Sequence, residues 1–469
     1  MLALMTVAKG LFWIALMPVF KIADEPTHYE NVAFRGEFFE APHSDKPEPL
    51  GTTIHEGSPP DVRLAWNRTN ELFRNHFVAG VRSVREETEL ARMASDPKTR
   101  QGTGRLTSSN YPGFYYDSAV PIYEIFKRTS LLTRIAAVRC VSLAFGVLAV
   151  LATFFAASLV VDSQPLAIAA ALIVMLQPME SQMIAAVNND AAVIGLAAAL
   201  FYVQLRFLVR APEIPSLRWG VGMALLAGAI IFTKPHGFAM LPGCGFVCGW
   251  ILWKNLRSRR AWLFAVATAA VAAIFIVAAL LHMQQTGEAA VMAHTPAVGA
   301  ALPPSASPDF SQFLASLTDD YKLYLFRSFI GQFGWLEYSI PSHWLDGIRA
   351  VWLLAQIGVA AAIAGRVIGL PGAKWVSIPG LVFAGATAVL LVAFILYAEY
   401  RFRLIGVVGV IQGRNMLFAL PALAVIVAAG YGALVPARFR SLSATALAAS
   451  ALALHAGAIL VIFRNHYGT

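Results

Sequence analysis

Two carboxylates and a histidine follow the first hydrophobic segment of the chain, in the sequence Asp24-Glu25-Pro26-Thr27-His28. Proline is well tolerated in the first turn of a helix, so a helix is predicted to begin here with Asp24 or Glu25 as its N-cap. Asp24 and His28, four residues apart, then face the same side of that helix. A carboxylate held in this way could act as a general base. An N-cap that merely ends a membrane span is the competing interpretation.

Further ionisable residues lie at the ends of other hydrophobic segments, where a charge is costly to bury unless it is paired or hydrated. Asp190 precedes the fourth segment, Lys234 lies in the break between the fifth and the sixth, and Arg414 opens the tenth. Arginine binds phosphate bidentately and lysine binds it as a point charge. These residues therefore suit a phosphate-bearing substrate at the level of the lipid headgroups. The alternatives are an N-cap for Asp190, a snorkelling lysine for Lys234 and a solvated loop for Arg414.

The composition indicates a polytopic membrane protein, because 58% of the residues are hydrophobic, 13% are charged and the mean hydropathy is +0.62. The net charge of +9 comes mainly from basic residues between hydrophobic segments, and no nucleic-acid-binding motif is present, so a nucleic-acid partner is not expected. Cys140, Cys244 and Cys248 lie in hydrophobic stretches, which favours helix packing over a metal or redox role. No phosphate-binding loop, dinucleotide fingerprint, HExxH motif or nucleophile elbow is found.

About eleven segments have nearly the length that crosses a bilayer. They cover residues 1–20, 132–161, 165–184, 190–209, 219–233, 237–253, 261–282, 346–366, 376–397, 414–435 and 444–463. The distribution of Lys and Arg over the short loops places the N-terminus in the cytoplasm and the segment after Asp24 outside it. The predicted fold is an all-α integral membrane protein, with residues 1–469 forming a single polytopic domain.

Two long loops are predicted on the outer side, at residues 21–130 and 283–345. The first should contain a helix on the membrane surface after Asp24 and a second amphipathic helix from about Val62 to Val84. Its aromatic run, Tyr111–Tyr116, is predicted to be an interfacial anchor rather than a ligand platform by itself. The second loop should be mobile at its proline-rich start, residues 296–308, and ends in an aromatic run that contains Glu337.

The segment Asp24-Glu25-Pro26-Thr27-His28-Tyr29 resembles the Pro-Asp-Glu-Pro-x-His-Phe/Tyr motif of a family of bacterial membrane proteins. That family is placed in the GT-C clan of polyprenyl-phosphate-sugar-dependent glycosyltransferases. The likeness continues in order along nearly the whole chain, through Asn110-Tyr111-Pro112-Gly113-Phe114-Tyr115-Tyr116, Asn188-Asn189-Asp190-Ala191, Thr233-Lys234-Pro235, Phe333-Gly334-Trp335-Leu336 and Gln412-Gly413-Arg414-Asn415-Met416-Leu417. The chain departs from the family pattern at Ala23, Gly113 and Asn415, where proline, proline and tyrosine are usual.

The resemblance implies a GT-C-like membrane enzyme in the bacterial inner membrane that works in cell-envelope glycan synthesis. It would move a sugar, with inversion, from a polyprenyl-phosphate donor to a hydroxyl of a glycan, lipid or protein acceptor on the extracytoplasmic face. Asp24 would deprotonate or orient the acceptor hydroxyl, with Glu25 assisting or positioning. Lys234 and Arg414 would stabilise the charge that develops on the leaving phosphate.

The resemblance also implies a polar pocket around these residues. The further substrate-binding residues that it suggests are His28, Asp190, Gln412, Tyr111 and Glu337. Asp24, His28 and Asp190 are the candidate ligands if the enzyme uses Mg²⁺ or Mn²⁺, as some members of the clan do. Two other functions stay open at this point: a polysaccharide polymerase or ligase, and a lipid or glycan transporter, which should show inverted repeats and charges near the middle of its spans.

Overall fold

A computed structural model places most of the chain. It describes residues 1–42, 57–74, 84–93, 96–103, 108, 111–210, 214–285, 309–315, 317–370, 373–404 and 411–467.

The described residues are almost entirely helical. In chain order the helices are α1 (Leu2–Leu16), α2 (Glu25–Phe38), α3 (Pro60–Arg74), α4 (Val84–Met93), α5 (Phe114–Phe126), α6 (Leu131–Val160), α7 (Gln164–Leu176), α8 (Pro178–Ile184), α9 (Asn189–Val209), α10 (Leu217–Ile231), α11 (Leu241–Lys254), α12 (Arg259–Gln285), α13 (Phe310–Ala315), α14 (Asp319–Ile330), α15 (Ser342–Val367), α16 (Ile378–Leu404), α17 (Leu420–Ala433) and α18 (Arg440–Tyr467). Short 3₁₀ helices cover Pro97–Thr99, Pro235–Met240, Ala373–Trp375, Gly413–Ala419 and Ala437–Phe439. The strands β1 (Gln332–Phe333) and β2 (Tyr338–Ser339) form an antiparallel hairpin.

The predicted all-α integral membrane fold is confirmed. Within the described residues, eight helices are long and apolar enough to cross a membrane, and a ninth span is formed if α7 and α8, which meet at a bend of 62°, are counted together. The shorter apolar helices α1 and α10 correspond to the first and fifth predicted spans. Every predicted span therefore has a helical counterpart, and eight or nine of these counterparts among the described residues are long and apolar enough to cross a membrane.

The helix that follows Asp24 is enclosed by protein. Tyr29, Val32 and Ala33 are buried, as the predicted periodicity requires, but Glu30 and Asn31 on other faces are buried as well. The prediction of a helix lying open on the membrane surface was therefore wrong, because α2 packs against α5 and α3. The second predicted helix is present as α3 and α4, and residues 75–83 between them lie outside the described part of the chain.

The aromatic run after Tyr111 was also misinterpreted, because α5 begins at Phe114 and carries its tyrosines inward. Tyr115 and Tyr116 are fully buried. The Tyr115 hydroxyl lies 2.7 Å from the Ser142 hydroxyl and accepts a hydrogen bond from the Asn188 N–H at 3.1 Å. Side chains that are buried and hydrogen-bonded inside the protein cannot anchor it in the headgroup layer. Tyr115 instead connects the first long loop to α6 and to the start of α9.

The second outer loop packs on the corner between α1 and α2. Its hairpin brings the Trp335 indole N–H to the Phe20 carbonyl at 3.1 Å and stacks Trp335 edge to face on Trp66, with ring centroids 5.2 Å apart. The predicted mobile stretch, residues 296–308, lies outside the described residues. Both outer loops therefore meet at the place where Asp24 begins its helix.

Helices α15 and α17 approach each other so closely that their crossing requires glycine. A Cβ atom at Gly358 would lie 2.0 Å from the Gly430 carbonyl oxygen, and one at Gly430 would lie 2.1 Å from the Ala355 carbonyl oxygen. Small residues at a crossing let two backbones pack directly on each other in a membrane protein. This contact fixes the position of α17 against α15. Arg414 lies in the 3₁₀ helix directly before α17, so its position depends on the same contact.

We expect Gly358→Ala to lower the free energy of unfolding by about 1–3 kcal/mol, because the two backbones must separate to admit the methyl group. Gly347 is the matched control on the same helix, since a Cβ there meets nothing within 4 Å. Gly347→Ala should be neutral or stabilising, because alanine favours a helix over glycine by about 1 kcal/mol. Thermal unfolding of the purified variants in detergent measures both, and equal melting temperatures would refute the packing argument.

Candidate functional site

The first ion pair of the site joins Asp24 to Arg414. Asp24 occupies the N-cap position of α2, but its side chain makes no capping hydrogen bond and instead accepts one from Arg414 Nη2. Arg414 Nη1 also donates to the Ala23 carbonyl at 3.4 Å. Arg414 is only 8% exposed, so the solvated-loop interpretation was wrong. The Asp24 side chain keeps 43% of its surface exposed, which leaves its carboxylate within reach of an incoming group.

The second ion pair joins Lys234 to Asp190. The Lys234 ammonium donates to Asp190 Oδ1 at 2.5 Å and to Asn415 Oδ1 at 3.3 Å. Lys234 is 8% exposed and bonded inside the protein, so it does not snorkel. Asn188, not Asp190, caps α9, because its Oδ1 accepts the Asp190 N–H at 2.8 Å. The Asp190 carboxylate is therefore free of the capping role and faces the lysine.

Three aromatic side chains lie beside the two ion pairs. His28 Nδ1 lies 2.7 Å from the Tyr116 hydroxyl, and the two rings are stacked with centroids 5.9 Å apart. The Tyr111 ring lies 5.8 Å from His28 and also 5.8 Å from the Lys234 ammonium. His28 and Tyr111, both predicted as substrate-binding residues, are thus brought beside the second ion pair.

Local sequence explains how the two cations are presented. Lys234 is extended, with φ −159° and ψ 138°, because Pro235 disfavours helical geometry in the residue before it. Arg414 follows Gly413, where a Cβ atom would lie 1.9 Å from the Leu325 carbonyl oxygen, so only glycine lets this turn approach α14. The Gly413 N–H donates to Ser328 Oγ at 2.7 Å. Each cation therefore lies on a short turn that is fixed by the residue next to it.

The neighbouring charges set the ionisation of the acid and the histidine. Burial by itself would raise the pKa of the Asp24 carboxyl, but the positive charges of Arg414 and Lys234 outweigh that effect and hold it below its usual value. Burial lowers the pKa of His28 to about 4, against the opposing pull of Asp24 and Asp190. At neutral pH Asp24 is therefore a carboxylate and His28 is a neutral imidazole.

A small cavity opens between the two cations. It encloses about 10 Å³, which is room for about one water molecule. Its polar lining residues are Asp190, Lys234, His236, Arg414 and Asn415. Both ring nitrogens of His236 lack a hydrogen-bond partner among the described residues. A larger anionic group can enter only if the ion pairs rearrange around it.

Three predicted site residues lie outside this cluster of contacts. Both Glu25 oxygens are bonded within the protein, chiefly to Arg139. Glu337 pairs with Lys21, its Oε2 lying 2.6 Å from the lysine ammonium. Gln412 precedes the turn that carries Arg414, where its carbonyl accepts the Asn415 N–H at 3.0 Å.

Sequence reasoning overlooked several residues that complete the site. Asn415 and His236 adjoin residues that had been selected, and Tyr116 was assigned to an anchor. Arg139 lies inside the second predicted span, and an arginine within an apolar segment is itself a signal of function.

The candidate metal ligands are engaged with other groups. Asp24 binds Arg414, Asp190 binds Lys234, and His28 binds Tyr116 through Nδ1. Among the residues that the structure describes, no group of three or more His, Cys, Asp or Glu side chains is arranged to hold a metal ion. As placed, these residues do not fit a divalent cation.

The chain is similar to several solved membrane enzymes at low sequence identity. The apo oligosaccharyltransferase of Archaeoglobus fulgidus matches with a TM-score of 0.47 and 11% identity, covering 99% of this chain and 56% of that one. The same enzyme with an inhibitory peptide and a dolichol-phosphate gives 0.44 and 13%, covering 98% and 55%. ArnT from Cupriavidus metallidurans bound to undecaprenyl phosphate gives 0.42 and 14%, covering 76% and 68%. The chain spans about half the length of the archaeal enzyme.

No curated protein matches this sequence significantly. A family model does match it, over residues 8–427, which is most of the chain. The protein therefore belongs to the family described as predicted membrane protein DUF2142.

Proposed function

We propose that this integral membrane protein is a glycosyltransferase that moves a sugar from a polyprenyl-phosphate donor to an acceptor hydroxyl. The observation that carries the proposal is the meeting of two buried cations, Arg414 and Lys234, with a partly exposed carboxylate, Asp24. The sequence resemblance to GT-C enzymes supports the same chemistry. With the N-terminus in the cytoplasm, as the Lys and Arg distribution predicts, the site faces outward from a bacterial inner membrane.

The donor phosphate binds between Arg414 and Lys234. Each cation is neutralised by an acid, Asp24 for Arg414 and Asp190 for Lys234. A phosphate that enters between them competes with the two carboxylates for the same N–H donors, and charge-assisted bonds to phosphate are strong enough to do so. His236 lines the same cavity, and its ring nitrogens have no hydrogen-bond partner in the described part of the chain, so it offers a further contact to the donor.

Asp24 acts on the acceptor. The acceptor oxygen forms a bond to the anomeric carbon, the bond from that carbon to the phosphate oxygen breaks, and the hydroxyl proton passes to the Asp24 carboxylate. The electron pair of the broken bond leaves on polyprenyl phosphate, whose added charge is stabilised by Arg414 and Lys234. The Tyr111 ring beside Lys234 provides a flat face for the sugar that is transferred.

Binding of the donor makes Asp24 a better base. In the empty enzyme Arg414 and Lys234 lower the pKa of Asp24, so the carboxylate holds a proton weakly. A bound phosphate neutralises both cations, and the pKa of Asp24 then rises towards or above its ordinary value. The base therefore gains its strength only when the donor is in place.

A polysaccharide polymerase or ligase that uses a lipid-diphosphate glycan is the second candidate, because a cation pair would serve a diphosphate equally well. The two functions differ in the donor that is consumed. A supply of labelled polyprenyl-phosphate monosaccharides and of labelled lipid-diphosphate glycans, each with an acceptor-containing membrane extract, separates them. Turnover of neither donor would favour a transporter.

Asp24→Asn should lower kcat for sugar release from a radiolabelled polyprenyl-phosphate monosaccharide by about 10²–10⁴-fold, the range typical of a lost general base. The variant should still insert and fold, since asparagine has nearly the shape of aspartate and tolerates the left-handed backbone that Asp24 adopts. Asp319 is the control acid, because its side chain is fully exposed in the second outer loop. Asp319→Asn should leave kcat unchanged, and wild-type turnover by Asp24→Asn would remove Asp24 from the mechanism.

Arg414→Ala should raise the donor KM at least tenfold and also reduce kcat, because the arginine binds the phosphate in the ground state and more tightly as charge develops. Arg349 is the control, since it lies on the surface and pairs with exposed Asp346. Arg349→Ala should change neither constant. If Arg414→Ala gave the wild-type donor KM and kcat, Arg414 would have no part in binding the phosphate.

The acid limb of the pH profile for kcat should lie at higher pH than that for kcat/KM. The profile of kcat/KM reports the free enzyme, where the pKa of Asp24 is lowered, and that of kcat reports the donor complex, where it is raised. Below each pKa Asp24 is protonated and cannot accept the hydroxyl proton. Burial raises the pKa of Glu30 to about 8, so its titration is a second source of an inflection in the pH profile. An inflection that disappears in the profile of Glu30→Gln comes from Glu30 and not from Asp24. Coincident acid limbs would contradict the proposed exchange of partners.

A further inference from the structure

The backbone at Asp24 adopts a conformation that needs outside support. Asp24 is left-handed, with φ 64° and ψ −1°, and Phe20 in the same corner is left-handed as well, with φ 63°. Neither residue is glycine, and such conformations persist only where the surrounding structure holds them. The corner between α1 and α2 is therefore fixed by contacts beyond its own residues.

Arg139 of α6 supplies the contacts on the α1 side. Its guanidinium donates to the carbonyl oxygens of Ile14 at 3.1 Å, Met17 at 2.9 Å and Pro18 at 3.2 Å. The last carbonyls of a helix have no partner within the helix, so a cation that donates to them is the natural way to close its end. Arg139 thus satisfies the carbonyl oxygens at the C-terminal end of α1, where the corner begins.

Glu25, the first residue of α2, supplies the contacts on the other side. Its oxygens accept from Arg139 Nε and Nη2, each at 2.7 Å, and from the Phe20 N–H at 3.0 Å. The Val187 N–H donates to the same carboxylate at 3.1 Å. With these bonds made and the side chain fully buried, Glu25 has no oxygen available to a substrate.

The Val187 contact extends the support to the second acid of the site. Val187 precedes Asn188, whose side chain caps α9 and holds the Asp190 N–H. The Asn188 N–H in turn binds the Tyr115 hydroxyl, which lies against Ser142 of α6. The two acid-bearing loops, one with Asp24 and the other with Asp190, are therefore both held by hydrogen bonds to residues of α6 or to residues that α6 contacts.

We propose that Glu25 and Arg139 are positioning residues for Asp24: their buried bidentate pair holds the left-handed backbone at Asp24 and sets the spacing between the two acid-bearing loops. This inference rests on the proposed function for its catalytic consequence, but the mechanical link between the loops stands apart from it. It assigns to Arg139 a role that the apolar pattern of α6 conceals, and it gives Glu25 the positioning role rather than the assisting one.

The chain contains a matched control for the test. Arg134 lies on α6 five residues before Arg139, is equally buried, and pairs with buried Asp61 of α3 at 2.6 Å. Arg134 makes none of the contacts to the α1–α2 corner that Arg139 makes. Variants at either arginine therefore disturb a buried arginine–carboxylate pair of α6, but only those at Arg139 also remove contacts to the α1–α2 corner.

The first experiment compares hydrogen–deuterium exchange in full-length wild type, Arg139→Lys and Arg134→Lys in detergent. Lysine keeps the charge but cannot reach both carboxylate oxygens and three carbonyls. We expect Arg139→Lys to speed exchange in residues 17–26 and 185–192 together, at least tenfold, and Arg134→Lys to leave both segments unchanged. Unchanged exchange in Arg139→Lys, or a change in one segment alone, would overturn the proposed link. This result does not depend on turnover.

The second experiment measures kinetics with the double variants Glu25→Gln/Arg139→Met and Asp61→Asn/Arg134→Met, in which no buried charge is left unpaired. We expect the first to lose about 10–100-fold in kcat, as a misplaced reacting group does, and the second to stay within about twofold of wild type. If Glu25→Gln/Arg139→Met does not fold, Arg139→Lys takes its place. A folded variant with wild-type kcat would overturn the positioning role, whereas absence of turnover in wild type would count only against the proposed function.

Discussion

The pairing of buried charges is the constraint on which the rest of this structure depends. A charge inside an apolar bundle is costly unless a partner lies beside it. The partners here come from distant parts of the chain: Glu25 and Arg139 are 114 positions apart, and Asp24 and Arg414 are 390 apart. Apolar burial is non-directional and leaves many packings available. The ion pairs select the packing in which these particular helix ends meet.

The same constraint explains why the candidate site is nearly closed. Two acids and two cations neutralise one another across a cavity that has room for about one water molecule. We propose that an anionic donor binds by exchanging partners, not by filling a preformed space. In the proposed mechanism this exchange is useful, because the cation that releases Asp24 is the cation that receives the phosphate. The free energy of donor binding and the pKa of Asp24 are then coupled through Arg414.

Helix α6 contacts several of the segments that carry or support the charged residues of the site. Arg134 ties it to α3 of the outer loop, Arg139 to the α1–α2 corner, and Ser142 to α5 through Tyr115. Most of the helix is apolar and packs on α7 and α9 as an ordinary membrane helix would. Its polar residues near the outer end position both loops. A helix with few charges can thus position the residues of a candidate site that it does not itself line.

The sequence by itself determined the all-α membrane architecture and singled out most of the charged residues that the structure brings together. Both follow from the order of amino acids, because long apolar segments and charges at their ends are visible there. It could not tell a capping Asp190 from a paired one, an anchoring Tyr116 from a buried one, or an assisting Glu25 from one whose oxygens are all engaged. Those distinctions depend on partners far away in the chain, such as Lys234, His28 and Arg139. Only the tertiary structure, which decides which helix ends lie together, could settle them.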